Sequence, residues 1–274
     1  MTMMTARTIG FVGNCQADLL QRLFQRATDG RPFRNFYHFY ELDEAEQPKA
    51  RADLAQCDVL FVQDIKNCED YPLRDAIRAE TRVLPFPFLW FAAPWPYDDF
   101  NGLRDGHARS QDDPALHTVT YYDGALGRLR KLVPDPEARV AAYRALDLSG
   151  LIKPERILDF EARRFEAQDQ RYGHAIGRYI LERFRDQPLF NTVNRPNGEL
   201  LVMLFEQMLN ALDIKLALPP LPELDELAVV QVPVHPKIGE ALGMRWAADD
   251  RLYNFDGECL NWEAYVRAYI ARYS

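Results

Sequence analysis

Gly13-Asn14-Cys15-Gln16 sets a thiol between two amide side chains, just after an apolar run, Thr8–Val12, and just before an amphipathic stretch, Ala17–Ala27. A strand that turns straight into a helix leaves the first helical N–H groups without backbone partners. That helix end carries about half a positive charge, which favours a thiolate or a developing oxyanion. Cys15 is therefore placed as a nucleophile would be, with Gly13 allowing the tight turn. Asn14 and Gln16 add amide donors of the kind that hold a tetrahedral oxyanion. The competing reading makes Cys15 a small residue filling the turn, since free cysteine packs well in interiors. The motif has neither the glycines of a dinucleotide fingerprint nor the Gly-Lys-Ser/Thr of a phosphate loop, so neither function follows from it.

The surrounding pattern positions this turn. Strands are expected near Thr8–Val12, Phe33–Phe39, Val59–Val62 and Arg82–Leu84, with helices at Ala17–Ala27, Lys49–Gln56 and Leu73–Glu80 between them. Such alternation builds a parallel sheet that binds ligands at the carboxyl ends of its strands, where Cys15, Gln63 and Asp64 would lie. Pro85–Tyr97, rich in proline and aromatics, reads as a packed extended loop. From Asp113 onward the pattern is helical, with segments at Gly124–Leu132, Pro136–Ala145, Pro154–Asp169, His174–Arg185, Asn197–Leu212, His235–Leu242 and Asn261–Tyr273. The expected fold is α/β: a small parallel sheet in residues 1–112, with a large helical portion, residues 113–274, packed on it.

The chain has 274 residues, 47% of them hydrophobic, enough for a sizeable core. A net charge of −8 opposes a surface built to grip nucleic acid or an anionic membrane. No stretch reaches the roughly 18 consecutive apolar residues of a membrane span, and Met1–Arg7 lacks a secretory core, so a cytoplasmic location is expected. Cys15, Cys57, Cys68 and Cys259 form no paired metal-ligand spacing, so reduced thiols and no metal are expected.

The GNCQ turn after the first strand resembles the WcbI-like family of capsular-polysaccharide biosynthesis acetyltransferases. Cys57–Gln63, a hydrophobic strand ending in Gln, resembles that family's second strand, and Pro85–Pro96 its Pro- and aromatic-rich stretch. Leu189-Phe-Asn-Thr-Val-Asn194-Arg195-Pro196 is similar to its Phe-x-Thr-x-Asn-His-Pro segment, with Arg195 standing where the family's His is expected. The resemblance implies a variant SGNH-hydrolase fold, with Cys15 in the place of the nucleophilic serine. It implies coenzyme A, as acetyl-CoA, donating an acyl group to a sugar hydroxyl. The implied partners are acyl-CoA and a carbohydrate acceptor, with self-association left open. Two rivals stand beside this: an SGNH-type ester hydrolase, and a non-catalytic carbohydrate-binding protein using Phe86–Tyr97 as a platform.

Such a transfer needs a base and oxyanion donors. Either Cys15 takes the acyl group and passes it on, or a histidine activates the acceptor for direct attack. His235 leads the candidates because Val-Pro-Val-His235-Pro236 fixes it at a helix start, where its pKa should fall. His107 lies between arginines, and with Arg109 it could meet coenzyme A phosphates. Asn194 and Arg195, before a helix, form a second candidate anion site. Gly13 and Gln63 complete the expected coenzyme-binding set. His174, with Arg171 and Arg178 nearby, reads as a surface residue; His38 and His117 have no distinguishing neighbours.

Overall fold

A computed structural model describes residues 8–27, 36–38, 44–65, 73–98, 121–147, 153–214 and 230–273. In chain order the elements are β1 (Ile9–Gly13), α1 (Cys15–Ala27), β2 (Phe36–His38), α2 (Gln47–Leu54), β3 (Val59–Asp64), β4 (Arg82–Pro87), α3 (Gly124–Leu132), α4 (Pro136–Arg144), α5 (Pro154–Tyr172) and α6 (Ile176–Arg183). They continue with β5 (Phe190–Thr192), β6 (Arg195–Pro196), α7 (Gly198–Asn210), α8 (Pro236–Leu242), β7 (Tyr253–Phe255), β8 (Glu258–Leu260) and α9 (Trp262–Tyr273). The chain forms two compact units. The first comprises Met1–Leu89, Gln170–His174 and Gly198–Leu224; the second comprises Trp90–Asp169, Ala175–Asn197 and Asp225–Ser274.

The first unit holds a parallel sheet of order β2-β1-β3-β4. Ile9, Phe11, Val12, Val59, Leu60 and Phe61 are all buried, as the continuous apolar runs of a sheet covered on both faces require. Phe11 stacks on its cross-strand partner Phe61 at 5.3 Å and meets Phe24 of α1, which meets Phe205 of α7 edge-on at 5.8 Å. On the opposite face Val12 and Leu60 pack with Ala50, Leu54, Cys57 and Leu73. The alternation of neighbouring residues between faces is the two-residue period of a strand.

Two expectations change here. Pro85 and Pro87 belong to β4 rather than to a loop, and they are tolerated because β4 is the edge strand, where a missing N–H costs no ladder bond. The helix expected over Leu73–Glu80 shrinks to a single 3₁₀ turn, Arg74–Ala76. Only Leu73 of that stretch is fully buried, and so short a helix is not stable without a packed face.

The second unit is mainly helical. Trp262, Tyr265, Val266, Tyr269 and Ile270 form the buried stripe of α9, against Leu126, Val140 and Tyr143. Two antiparallel hairpins, β5–β6 and β7–β8, were not expected. Phe91, Trp95 and Tyr97 lie in the core: Phe91 packs among Phe165, Phe184 and Phe190, and Trp95 Nε1 donates to the Val232 carbonyl at 3.0 Å. That burial removes these three rings as a platform for sugars.

Asp123 ties three helices together in this unit. Its Oδ1 caps α3 by accepting from Leu126 N at 2.9 Å, its Oδ2 accepts from the Tyr143 hydroxyl of α4 at 2.5 Å, and its own N–H donates to the Tyr269 hydroxyl of α9. Burial pushes the Asp123 carboxyl up to about 6, against the pull of the Tyr143 and backbone hydrogen bonds. A folded pKa above the unfolded value of 3.8 means that folding favours the protonated form. This contribution is fully present below pH 4 and is lost as pH rises through about 6, for a total of roughly 3 kcal/mol. Asp123→Asn keeps a cap acceptor and removes the buried charge. Its urea midpoint should therefore match or exceed wild type at pH 8, and the difference between the two proteins should shrink or reverse at pH 4.

Candidate active site

The order β2-β1-β3 places a switch point at the carboxyl ends of β1 and β3, the position where open parallel sheets leave a crevice for ligands. β1 ends at Gly13, and α1 begins two residues later, at Cys15 rather than at the expected Ala17. The early start has a local cause. Asn14 Oδ1 accepts from Gln16 N at 2.9 Å and the Asn14 carbonyl accepts from Asp18 N at 3.2 Å, so Asn14 is the cap.

A buried pair of glutamines clamps the turn. Gln63 Oε1 accepts from Asn14 N at 2.9 Å, and Gln63 Nε2 donates to Gln16 Oε1 at 3.1 Å. Gln16 in turn exchanges two bonds with the Leu89 backbone, its Nε2 donating to the carbonyl at 2.8 Å and its Oε1 accepting from the N–H at 3.1 Å. Both glutamines are 0% exposed. The expected roles of Gln16 as oxyanion donor and Gln63 as coenzyme contact are therefore corrected: both side chains are buried in holding the turn. Gly13 is required by the same packing, because a Cβ there would lie 2.5 Å from Gln63 Oε1 and 2.7 Å from Ala17 Cβ.

Cys15, the first residue of α1, is half-buried and in no disulfide. Asn14 is half-buried, and among the described residues no hydrogen bond engages its Nδ2. The turn thus presents a sulfur atom, one amide donor and the start of a thirteen-residue helix. These can hold a thioester carbonyl and stabilise the oxyanion formed when it is attacked.

A second group stands at the same carboxyl edge, at the next residue of β3. Asp64 Oδ2 accepts from Arg171 Nη1 at 2.8 Å and from the Tyr172 hydroxyl. The Tyr172 ring stacks on His174, with centroids 5.8 Å apart and planes inclined by 13°. Sequence reading placed Asp64 at this edge and Arg171 beside His174 but did not join them, because α5 runs on to Tyr172 and Gly173 then turns the chain at a left-handed φ of +67°. The clue available was Tyr172-Gly173-His174, a glycine helix stop followed by a titratable residue.

His235, in the second unit, is 3% exposed. Its Nε2 lies 2.9 Å from the Tyr143 carbonyl, to which it can only donate, and its Nδ1 accepts from Lys237 N at 3.2 Å as the cap of α8. Tyr97, Tyr143 and Trp262 surround the ring edge-on. Burial lowers its pKa, so the direction expected from sequence holds with a different first cause. The role of base is corrected: with both nitrogens held by backbone, His235 is a structural cap. Asn194 and Arg195 occupy the turn and second strand of the β5–β6 hairpin, where Asn194 Oδ1 accepts from the Thr192 hydroxyl at 3.1 Å. Asn197, the first residue of the expected helix, donates its amide to the Pro188 carbonyl. His107, Arg109 and His117 lie outside the described residues, as does the side chain of His38. No helix among the described residues is long and apolar enough to cross a membrane.

Comparison with known proteins shows a family and a fold. Residues 8–217 match the family model described as the polysaccharide biosynthesis enzyme WcbI. No curated protein matches the chain. A solved structure of WcbI, described as a novel polysaccharide biosynthesis enzyme in its native form without a disulfide bond between coenzyme A and a cysteine, has a similar fold. Its TM-score is 0.70 at 15% identity, covering 98% of this chain and 91% of that one.

Proposed function

Because the chain belongs to the WcbI family of polysaccharide biosynthesis enzymes, we propose that it transfers an acyl group, acetyl first among them, from coenzyme A to a sugar hydroxyl in capsule or another polysaccharide. The observation that carries this reading is the placement of Cys15 at the first position of α1, at the sheet's switch point. The solved WcbI structure supports it, since a cysteine there is described in terms of a disulfide with coenzyme A. A disulfide of that kind would use the coenzyme's sulfur, the atom that carries the acyl group.

In the first step the Cys15 thiolate attacks the thioester carbonyl, while Asn14 Nδ2 and the start of α1 hold the oxyanion. The bond from the acyl carbon to the coenzyme sulfur breaks, and coenzyme A leaves as its thiol with the proton that Cys15 gave up. In the second step the sugar oxygen attacks the acyl carbon, losing its proton to a base, and the bond to Cys15 breaks. The 2-1-3-4 strand order supports the finer reading of a variant SGNH-type arrangement with cysteine in the serine's place. A cytoplasmic setting suits a soluble coenzyme A donor and reduced thiols.

The test uses the purified chain with acetyl-CoA and, separately, with a chromogenic acetate ester. Binding of coenzyme A by calorimetry, and an acetyl group mapped to Cys15 by mass spectrometry, are expected. Ester cleavage with no coenzyme A binding would turn the reading to an ester hydrolase.

A further inference from the structure

We infer that Gln63 is a positioning residue for the acyl transfer: its buried amide aims Asn14 and the start of α1 at the developing oxyanion, and it must be uncharged to do so. This inference rests on the acyl-transfer reading above. Its closeness to the thiol is guaranteed by covalent bonds. Gln63 Oε1 accepts from the backbone N–H of Asn14, the residue before Cys15, and Gln63 Nε2 donates to the side chain of Gln16, the residue after it. One side chain of β3 therefore grips the chain on both sides of Cys15.

The orientation of that amide is set from outside the turn. Leu89, two residues past β4, offers one N–H and one C=O, and Gln16 answers with Oε1 on the N–H at 3.1 Å and Nε2 on the C=O at 2.8 Å. Reversing Gln16 would set donor against donor and acceptor against acceptor. With Gln16 Oε1 fixed as an acceptor, Gln63 must turn its Nε2 toward Gln16, which leaves its Oε1 for Asn14 N. Asn14 Oδ1 is in turn taken by Gln16 N at 2.9 Å, so Nδ2 is the group that this side chain can offer an oxyanion.

Charge explains why amides stand here rather than carboxylates. Gln16 and Gln63 are 0% exposed, and a negative charge buried against the turn would act at short range and low dielectric against a thiolate or an oxyanion. The carboxylates that lie close along the chain are compensated. Asp64 is held by Arg171 and the Tyr172 hydroxyl, and Asp18, in the first turn of α1, pairs with Arg22. A merely structural clamp would need its hydrogen bonds only to keep the fold, and the experiment separates the two.

The test replaces the amide by a group of the same shape that can lose its donor proton. In Gln63→Glu the protonated carboxyl can donate to Gln16 Oε1 and accept from Asn14 N as the amide does, whereas the carboxylate cannot donate and adds a charge. Burial raises such a carboxyl above its ordinary range, so the protonated form prevails at pH 5. Formation of acetyl-Cys15 from saturating acetyl-CoA is timed by mass spectrometry from pH 5 to pH 8, for wild type and Gln63→Glu, with circular dichroism at each pH. Wild type should acylate faster as pH rises and its thiol ionises. Gln63→Glu should stay close to wild type at pH 5 and fall about 10²-fold behind it at pH 8 while keeping its fold. A constant ratio of the two rates across the range would overturn the inference. So would a Gln63→Glu protein that is unfolded at pH 5, or one that loses its circular dichroism together with its rate, since the amide would then serve the fold alone. If wild type itself acquires no acetyl group, the acyl-transfer reading fails first and this inference falls with it.

Discussion

Cys15→Ala should abolish formation of the acetyl-enzyme and lower release of coenzyme A from acetyl-CoA on the order of 10³-fold or more, because no other group takes over covalent attack. Cys15 is half-buried, and the bonds that clamp the turn run from Gln63 to Asn14 N and to Gln16, and from Asn14 to Gln16 N. Thermal stability should thus change little, which separates loss of chemistry from loss of fold. Coenzyme A affinity should also survive in large part, since most of that ligand lies beyond its sulfur. Chromatographic assay of free coenzyme A, with calorimetry on the same preparation, checks all three. An alanine variant that turns over at the wild-type rate would show that the thiol takes no part.

Gly13→Ala should be the most damaging small substitution in the sheet. The added methyl would meet Gln63 Oε1 at 2.5 Å, Gln63 Cβ at 2.7 Å and Ala17 Cβ at 2.7 Å. Gln63 is 0% exposed and bonded at both ends of its amide, so it cannot swing away without leaving Asn14 N or Gln16 Oε1 unpaired. Overpacking plus one buried unpaired group costs about 3 kcal/mol. In a chain of 274 residues that lowers the melting temperature by roughly 6–12 °C. The acyl-transfer rate should fall too, since Asn14 and the start of α1 would shift together. Calorimetric melting and the acetyl-CoA assay measure the two effects, and an unshifted melting temperature would contradict the packing described.

Several elements were readable from spacing alone because their cause is local. β1 and Val59–Val62 of β3 are short all-apolar runs, and only a strand buried on both faces has that signature in so few residues. α9 shows its buried side at i, i+3, i+4 and i+7, and α3 matches its expected bounds, with Asp123 in cap position before it. The β7–β8 hairpin was legible but overlooked: Asp256-Gly257, with φ of 51° and 90°, is a turn pair that marks hairpins. The β5–β6 hairpin carried no such signal.

The sequence by itself determined the chemistry on offer: a cysteine among amides, following a strand and opening a helix. That much depends on neighbours along the chain, through capping, turn sterics and apolar period. Only the tertiary structure decided which side chains are spent on structure. Gln16, Gln63 and His235 look like donors and bases in one dimension, yet each is buried and bonded to groups 47 to 92 residues away. The same folding joined Asp64 to Tyr172, a separation of 108 residues, and brought His174 into the unit that holds Cys15. The physical reason is that a polar group's availability depends on whether burial has already supplied it with a partner, and partners distant in sequence are chosen by packing.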